Sequence, residues 1–485
     1  APDTLPAREP GRDRFPGAEP GGVKVAAEDP VSTFSIDVDT ASYGFVRRSL
    51  RNGVMPPAAA VRVEELVNYF PYDYPAPETA EPPFAAYPVI FETPWNPDTK
   101  LLRIALKGHD IAPAERPRAN LVFLVDVSGS MDRPDRLGLL VNALRLLVGR
   151  LAPEDRVAIV TYAGQAGVAL EPTPVAEKET ILAALARLTA GGSTAGAAGI
   201  AEAYRLAEAN LVEDGVNRVI LATDGDFNVG TTDTASLRRF VERKRESGVF
   251  LSVLGFGAGN LNDRLMQALA QNGNGQAAHI DTLSEARKVL VEEASGTLFP
   301  IARDVKIQVE FNPATVAEYR LIGYETRALA RDDFRDDTVD AGEIGSGHAV
   351  TALYEITPVG SPARLTEPLR YADAPEDGGD GDYAFLRIRH KAPDGDESRL
   401  TEIPITPAME RDAAGPEMRE ARFAAAVAAF GQLLRGGRYM GDFGWADVLA
   451  LAEGARGPDP FGYRAGFLEL VRLAEATAAV DPDTP

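Results

Sequence analysis

Cysteine is absent from all 485 residues, which excludes disulfides, thiolate zinc sites, iron–sulfur clusters and a cysteine nucleophile. Histidine is scarce: the chain has four, His109, His279, His348 and His390. No two of them stand at ligand spacing, so a polyhistidine metal centre is not expected. Basic residues are in deficit, with 50 Lys and Arg against 72 Asp and Glu and a formal charge of −22. A surface this acidic repels phosphate backbones and anionic membranes, which argues against nucleic-acid binding. Long apolar runs are missing too. The best, 423–434, is Ala-rich and falls short of the about 18–20 residues that span a bilayer. Tryptophan is confined to Trp95 and Trp445, which read as core packing rather than ligand platforms.

What is present is ordinary for a globular protein, 45% apolar and 25% charged residues. At about 100–200 residues per domain the length allows about three domains. The first residue is Ala1 rather than Met, which suggests a processed or a trimmed chain, either of which allows a signal peptide to have been present and lost. Residues 1–30 are Pro, Gly and charge without periodicity and read as a flexible tether. Residues 31–118 read as an N-terminal domain with helical patterns over 40–52 and 61–70, then strands over 87–92 and 100–107 around a Pro94–Asp98 turn signal.

From 119 to 297 strands and helices alternate. The run 120–127 is almost continuously apolar, as a strand buried on both faces should be. Leu137, Leu140, Val141, Leu144, Leu147 and Val148 then form a helical stripe. Such alternation predicts an α/β domain with a doubly wound, mostly parallel sheet, whose ligands sit at the carboxyl ends of the strands. Residues 298–415 return to a period of two, a β-rich, sandwich-like region that pairs with the strands before 119. Residues 416–485 carry three amphipathic helical patterns, 416–435, 444–454 and 460–476.

The chemistry concentrates in Asp126-Val127-Ser128-Gly129-Ser130-Met131, between the first α/β strand and its helix. One carboxylate and two hydroxyls at i, i+2 and i+4 on a tight loop suit a hard divalent cation, Mg²⁺ or Mn²⁺. The same segment could merely cap the helix. Gly191-Gly192-Ser193-Thr194 precedes another helix, and Thr223-Asp224-Gly225 ends another strand. A doubly wound sheet brings these three loops to one edge. The candidate metal ligands are therefore Asp126, Ser128, Ser130, Thr194 and Asp224, with Asp226 and Asn228 on the rim. The bland alternatives are a helix cap at Thr194 and a turn residue at Asp224.

These residues, in this order, resemble the metal-ion-dependent adhesion site of a von Willebrand factor type A domain over about 119–295. The resemblance implies that Asp126, Ser128 and Ser130 face Mg²⁺ or Mn²⁺. Thr194 and Asp224 bind it directly or through water, and an open position takes an acidic group of a protein partner. The flanking segments 32–43 and 63–70, the stretch 223–230 and Asp340-Ala341-Gly342-Glu343-Ile344-Gly345 are similar to a group of bacterial cell-envelope proteins, many of them lipoproteins. That similarity implies a non-enzymatic adhesion or recognition protein of the envelope or periplasm, although this chain has no lipid-modifiable cysteine. The alternatives are a scaffold whose metal is structural only, or a hydrolase. Ile36-Asp37-Val38-Asp39-Thr40 mimics the D-x-D-x-T loop of haloacid-dehalogenase-type phosphatases, with one aspartate as nucleophile and the next as general acid. The next 50 or so residues lack the α/β sheet that chemistry needs, so Asp39 or Thr40 is expected to cap a helix beginning near Ala41. The acidic segments 332–337 and 373–382 lack an EF-hand frame and read as solvated loops, with a weak Ca²⁺ site as the alternative. His279, in a short apolar strand, reads as structural.

Overall fold

The computed structural model describes residues 21–36, 39–192, 196–225, 234–257, 263–293, 296, 298–337, 339, 341–367, 381–393 and 395–480. They fall into two compact units. Pro117–Ala294 belongs to unit 1, while Gly17–Arg116 and Ser295–Pro485 together make unit 2. In sequence, unit 1 is thus inserted into unit 2.

Unit 2 opens with β1 (Lys24–Val25), β2 (Val31–Ser35), α1 (Ala41–Arg51), α2 (Val63–Val67), β3 (Phe84–Thr93) and β4 (Asn96–Gly108). Unit 1 follows as β5 (Ala119–Asp126), α3 (Leu139–Val148), β6 (Arg156–Tyr162), β7 (Ala166–Pro174), α4 (Lys178–Ala186), α5 (Gly196–Ala209) and β8 (Val216–Thr223). It ends with α6 (Thr234–Glu246), β9 (Phe250–Phe256), α7 (Asp263–Asn272), β10 (Ala277–Ile280) and α8 (Leu283–Arg287). Unit 2 resumes with β11 (Pro300–Phe311), β12 (Val316–Leu321), β13 (Ala328–Leu329), β14 (Gly342–Gly345), β15 (Ala349–Pro358), β16 (Ala384–Lys391) and β17 (Ser398–Ile405). Its last elements are α9 (Arg419–Leu434), α10 (Trp445–Gly454) and α11 (Tyr463–Val480).

Unit 1 is the doubly wound α/β domain that the strand–helix alternation predicts. Its sheet order is β10-β9-β8-β5-β6-β7, parallel throughout except for the β6–β7 pair. All eight residues of β5 and of β8 are buried, as continuous apolar runs in a sheet covered on both faces must be. From β5 the chain builds outward through β6 and β7 on one side, then returns to β8 on the other. The β5/β8 boundary is therefore the topological switch point, where the carboxyl ends of the strands leave a crevice.

In unit 2 one antiparallel sheet runs β1-β12-β15-β4-β3 and the other β13-β2-β11-β16-β17. Alternation along β4 explains how they are used. Leu102, Ile104 and Leu106 join a core shared with Ile307, Val309, Leu386 and Ile388 of the other sheet. Leu101 and Ala105 face a second core with Leu66, Phe423, Phe430 and Phe467 of the helices. The sandwich therefore draws on strands from both sides of the insertion: β4 pairs with β15 along eight residues, and β2 with β11. For this reason Gly17–Arg116 and Ser295–Pro485 form one compact unit.

The structure departs from the sequence reading in three places here. Lys24–Val25 lies within the expected tether yet pairs with Tyr319 and Glu318 of β12. A two-residue strand in a Pro- and charge-rich stretch gives no periodic signal, although Ala26 beside it is fully buried. The acidic turn at 332–337 is exposed except at Asp333 and Phe334, as a solvated loop should be, yet it is also tied to the sheet. The Lys306 ammonium donates to the carbonyls of Asp333 and Asp336, and the Asp337 carboxylate accepts from Arg389 and Ser398. Side-chain cations and a hydroxyl thus already engage two carbonyls and one carboxylate of this turn. Segment 373–382 lies outside the described residues except for its last two. Finally, Thr40 stands at the N-cap of α1 without a side-chain cap bond, and Asp39 accepts from Arg327 Nη2 at 2.9 Å in a buried pair. Asp37 lies outside the described residues. His279 is buried in β10. Trp95 and Trp445 pack in unit 2, Trp95 donating through Nε1 to Glu355 at 3.1 Å and Trp445 resting edge-on against Phe430.

Candidate functional site

Asp126 is the last residue of β5, at the carboxyl end of the central strand. The chain turns at once: the Ser128 N–H donates to Asp126 Oδ1 at 2.8 Å, an Asx-type turn that folds the loop back over the strand end. Met131 is fully buried. Ser128 Oγ and Ser130 Oγ lie 3.0 Å apart. The glycine pair is stitched to the same loop, Gly191 N–H donating to the Val127 carbonyl at 2.7 Å and Gly129 N–H to the Gly192 carbonyl at 3.0 Å. Thr194, two residues further on, lies outside the described residues, as do Asp226 and Asn228. Across the switch point, Thr223 ends β8, and its Oγ1 stands 3.4 Å from Asp126 Oδ2. Asp224 follows, its side chain fully buried.

Four of the five residues singled out in the sequence, Asp126, Ser128, Ser130 and Asp224, thus meet at one sheet edge. Asp126 is fully buried and Ser128 nearly so, while Ser130 is exposed at the rim. Burial pushes the Asp126 carboxyl above the ordinary carboxylate range. The Ser128 hydrogen bonds pull it back in part, and the nearby charge of Asp224 pushes in the same direction as burial. Among the described residues, no three Asp, Glu or His side chains form a group that could hold a metal ion. The donor set here is instead two carboxylates and two hydroxyls. All are hard oxygens and one side is open, which fits a small divalent cation that keeps part of its water shell. Such an ion would also relieve the repulsion between Asp126 and Asp224.

Three further residues shape the site. Arg136, in the turn before α3, is buried; one guanidinium nitrogen, Nη1, donates to the Ser130 carbonyl at 2.7 Å and to Asp224 Oδ2. Tyr162 ends β6 in register with Asp126. Burial, with the Asp126 charge added, pushes its phenol well above the ordinary range. Thr223 supplies the hydroxyl next to Asp126. The sequence did carry signals for these residues. Two acidic candidate ligands call for a countercharge, and Arg136 adjoins the apolar stripe of α3. Tyr162 and Thr223 are polar residues at the ends of two predicted strands.

Comparison with known proteins places the α/β unit and its flanks in known families. A family profile described as von Willebrand factor type A domain matches residues 120–293. A profile described as von Willebrand factor matches 9–103, and one for the C-terminal part of the uncharacterized protein YfbK matches 296–477. The chain is 44% identical over 480 residues to the uncharacterized protein YfbK of Escherichia coli (strain K12), an alignment covering 97% of this chain and 82% of that protein. It is 26% identical over 232 residues to inter-alpha-trypsin inhibitor heavy chain H4 of Sus scrofa, covering 46% of this chain and 25% of that one. Among solved structures, a von Willebrand factor type A protein from Catenulispora acidiphila aligns with 80% of this chain and 89% of its own, at 15% identity and a TM-score of 0.44.

Proposed function

The chain belongs to the YfbK family of von Willebrand factor type A proteins, and from that premise we propose that it is a metal-dependent recognition module of the bacterial cell envelope. Type A domains often mediate protein interactions. The finer reading is that a divalent cation, Mg²⁺ or Mn²⁺, sits among Asp126, Ser128, Ser130, Thr194 and Asp224 and takes an acidic side chain of a protein partner at its open position. The observation that carries this reading is the convergence of Asp126, Ser128, Ser130 and Asp224 at the β5/β8 switch point, with Ser130 on the solvent side.

In this reading the cation supplies the attraction, and the chain supplies placement. Asp126 holds its position through the Ser128 N–H, and Met131 anchors the loop by its burial. The metal's own charge makes acid recognition workable for a chain of net charge −22. The reading assigns no catalysis. The would-be general acid Asp39 is held by Arg327 in a buried pair, which supports a structural role for it. Placement in the envelope or periplasm rests on the family resemblance.

Calorimetric titration of chelator-stripped protein with Mn²⁺ and Mg²⁺ tests the site. We expect one site per chain in the wild type and a loss of at least about 100-fold in affinity in Asp126→Ala, a magnitude set by removing the one carboxylate that opens the motif. Equal binding by the two proteins would place the metal elsewhere. No binding by the wild type would leave the site a structural loop.

A further inference from the structure

We propose that Arg136 is a built-in counter-cation that competes with the divalent ion for Asp224 and so keeps metal affinity low. The inference rests on the metal-dependent reading above and deepens it. Three strand ends converge on this one side chain. Arg136 donates to the Ser130 carbonyl, in the loop after β5, and to the Asp224 carboxylate, just after β8. Its stem crosses the backbone at Gly257, just after β9: a Cβ there would fall 2.6 Å from Arg136 Cγ and 2.7 Å from its Nε. Gly257 has φ +80, in the left-handed region where a side chain would be strained as well as in the way. The bare backbone at this point therefore makes room for the guanidinium. Arg136 is 4% exposed, and an arginine stays charged in such a place.

The charge count gives the device its meaning. Asp126 and Asp224 bring two negative charges, and Arg136 cancels one before any metal arrives. One oxygen of Asp224, Oδ2, is already engaged by Arg136. A divalent ion that loads the site is left with a net positive charge, so it binds weakly by itself and attracts an anionic oxygen from a partner. With a neutral side chain at 136 the same ion would be fully neutralised by the two carboxylates. It would then bind more tightly and lose its pull on an acidic partner.

The test is a Mn²⁺ titration of the full chain as wild type, Asp126→Ala, Arg136→Met and Arg136→Lys. The expected result is at least tenfold tighter Mn²⁺ binding by Arg136→Met than by wild type, with Arg136→Lys, which keeps the charge, within threefold of wild type. If wild type binds Mn²⁺ and Arg136→Met binds equally or more weakly, the counter-cation role is overturned while the metal site stands. If neither binds, both readings fail together. A purely structural arginine would lower stability without raising affinity. Should Arg136→Met fold poorly without metal, thermal melts decide: Mn²⁺ should raise its melting temperature more than that of wild type, and an equal or smaller rise overturns the proposal. Should it not fold at all, Arg136→Lys decides, because a tenfold change in its affinity shows that charge is not what governs the site.

Discussion

Replacing Arg464 by methionine is expected to destabilise unit 2 by about 3–5 kcal/mol, the usual cost of stranding one member of a buried ion pair. Arg464 is 4% exposed and Glu420 is 8% exposed. The guanidinium donates to both oxygens of Glu420, to the Pro71 carbonyl at 3.2 Å and to the Arg456 carbonyl at 3.0 Å. It also lies 4.5 Å from the centre of the Phe423 ring. One side chain thus ties the segment after α2, the start of α9, the end of α10 and the start of α11. Methionine fills much of the volume but strips a buried carboxylate of its main cation and the carbonyls of Pro71, Ala455 and Arg456 of this donor. Arg419, which also reaches Glu420 at 3.2 Å, stays at the rim and limits the damage.

The measurement is convenient because both tryptophans of the chain, Trp95 and Trp445, lie in unit 2. A urea transition followed by tryptophan fluorescence therefore reports this unit. The double variant Arg464→Met with Glu420→Gln should recover more than about 1 kcal/mol relative to the sum of the singles, the sign of direct coupling. The Glu420 carboxyl provides a second check. Burial alone would raise it, but the Arg464 hydrogen bond and charge outweigh burial and hold it below the ordinary range. A depressed carboxyl contributes stability above its unfolded value and loses it as pH falls through the folded one. In Arg464→Met the burial effect is released, so the variant should lose less than wild type on acidification. Additive singles, or an unchanged acid limb, would show that the pair is not the source of the stability.

Why some of this was legible in the sequence and some was not follows from range. The run ending at Asp126 announced a strand, and strand-end position plus Asp126, Ser128 and Ser130 in five residues announced a site. Both are local facts. The doubly wound order then followed from the alternation, and with it the meeting of Asp126 and Asp224 across 98 positions of sequence. The signal for Arg136 was weaker, because Asp224 lies 88 positions away and a charged residue before an apolar stripe reads as solvated. Helix α9 was misjudged for a related reason. Its pattern looked amphipathic, yet 13 of its 16 residues are buried, because it sits in the middle of the helical layer with no face left for solvent. The run 423–434, too short for a bilayer, is apolar for that reason. Long-range pairs such as Asp39–Arg327 and Lys306 with the 333–336 carbonyls leave no local trace. They tie an expected helix cap and an expected solvated loop to distant segments of the chain.

Glu64 gives the second large effect, and its sign is opposite to that of most carboxylates. It lies in the first turn of α2 and is 2% exposed. Its neighbours Glu65 and Glu325 each have a cation, Arg62 and Arg435 respectively. Glu64 Oε2 has no hydrogen-bond partner, and Gly323 packs so closely that a Cβ there would fall 2.7 Å from that oxygen. Burial first, then the charges of Glu325 and Glu65, push the carboxyl up to about 7. A carboxyl raised above its unfolded value makes the folded state bind the proton more tightly. The stability this contributes is complete below the unfolded value near 4.5 and is lost as pH rises through about 7. The interval corresponds to about 3 kcal/mol. Wild-type unit 2 should therefore weaken between pH 5 and pH 8 through this group. Glu64→Gln should remove that part of the slope, gaining about 2–3 kcal/mol at pH 8 and nothing at pH 4. Urea transitions at the two pH values read this directly. A gain of equal size at both would mean that glutamine merely packs better. A loss at pH 8 would mean that the charged carboxylate, through its backbone hydrogen bonds from Tyr324 and Glu64, is an asset to the fold.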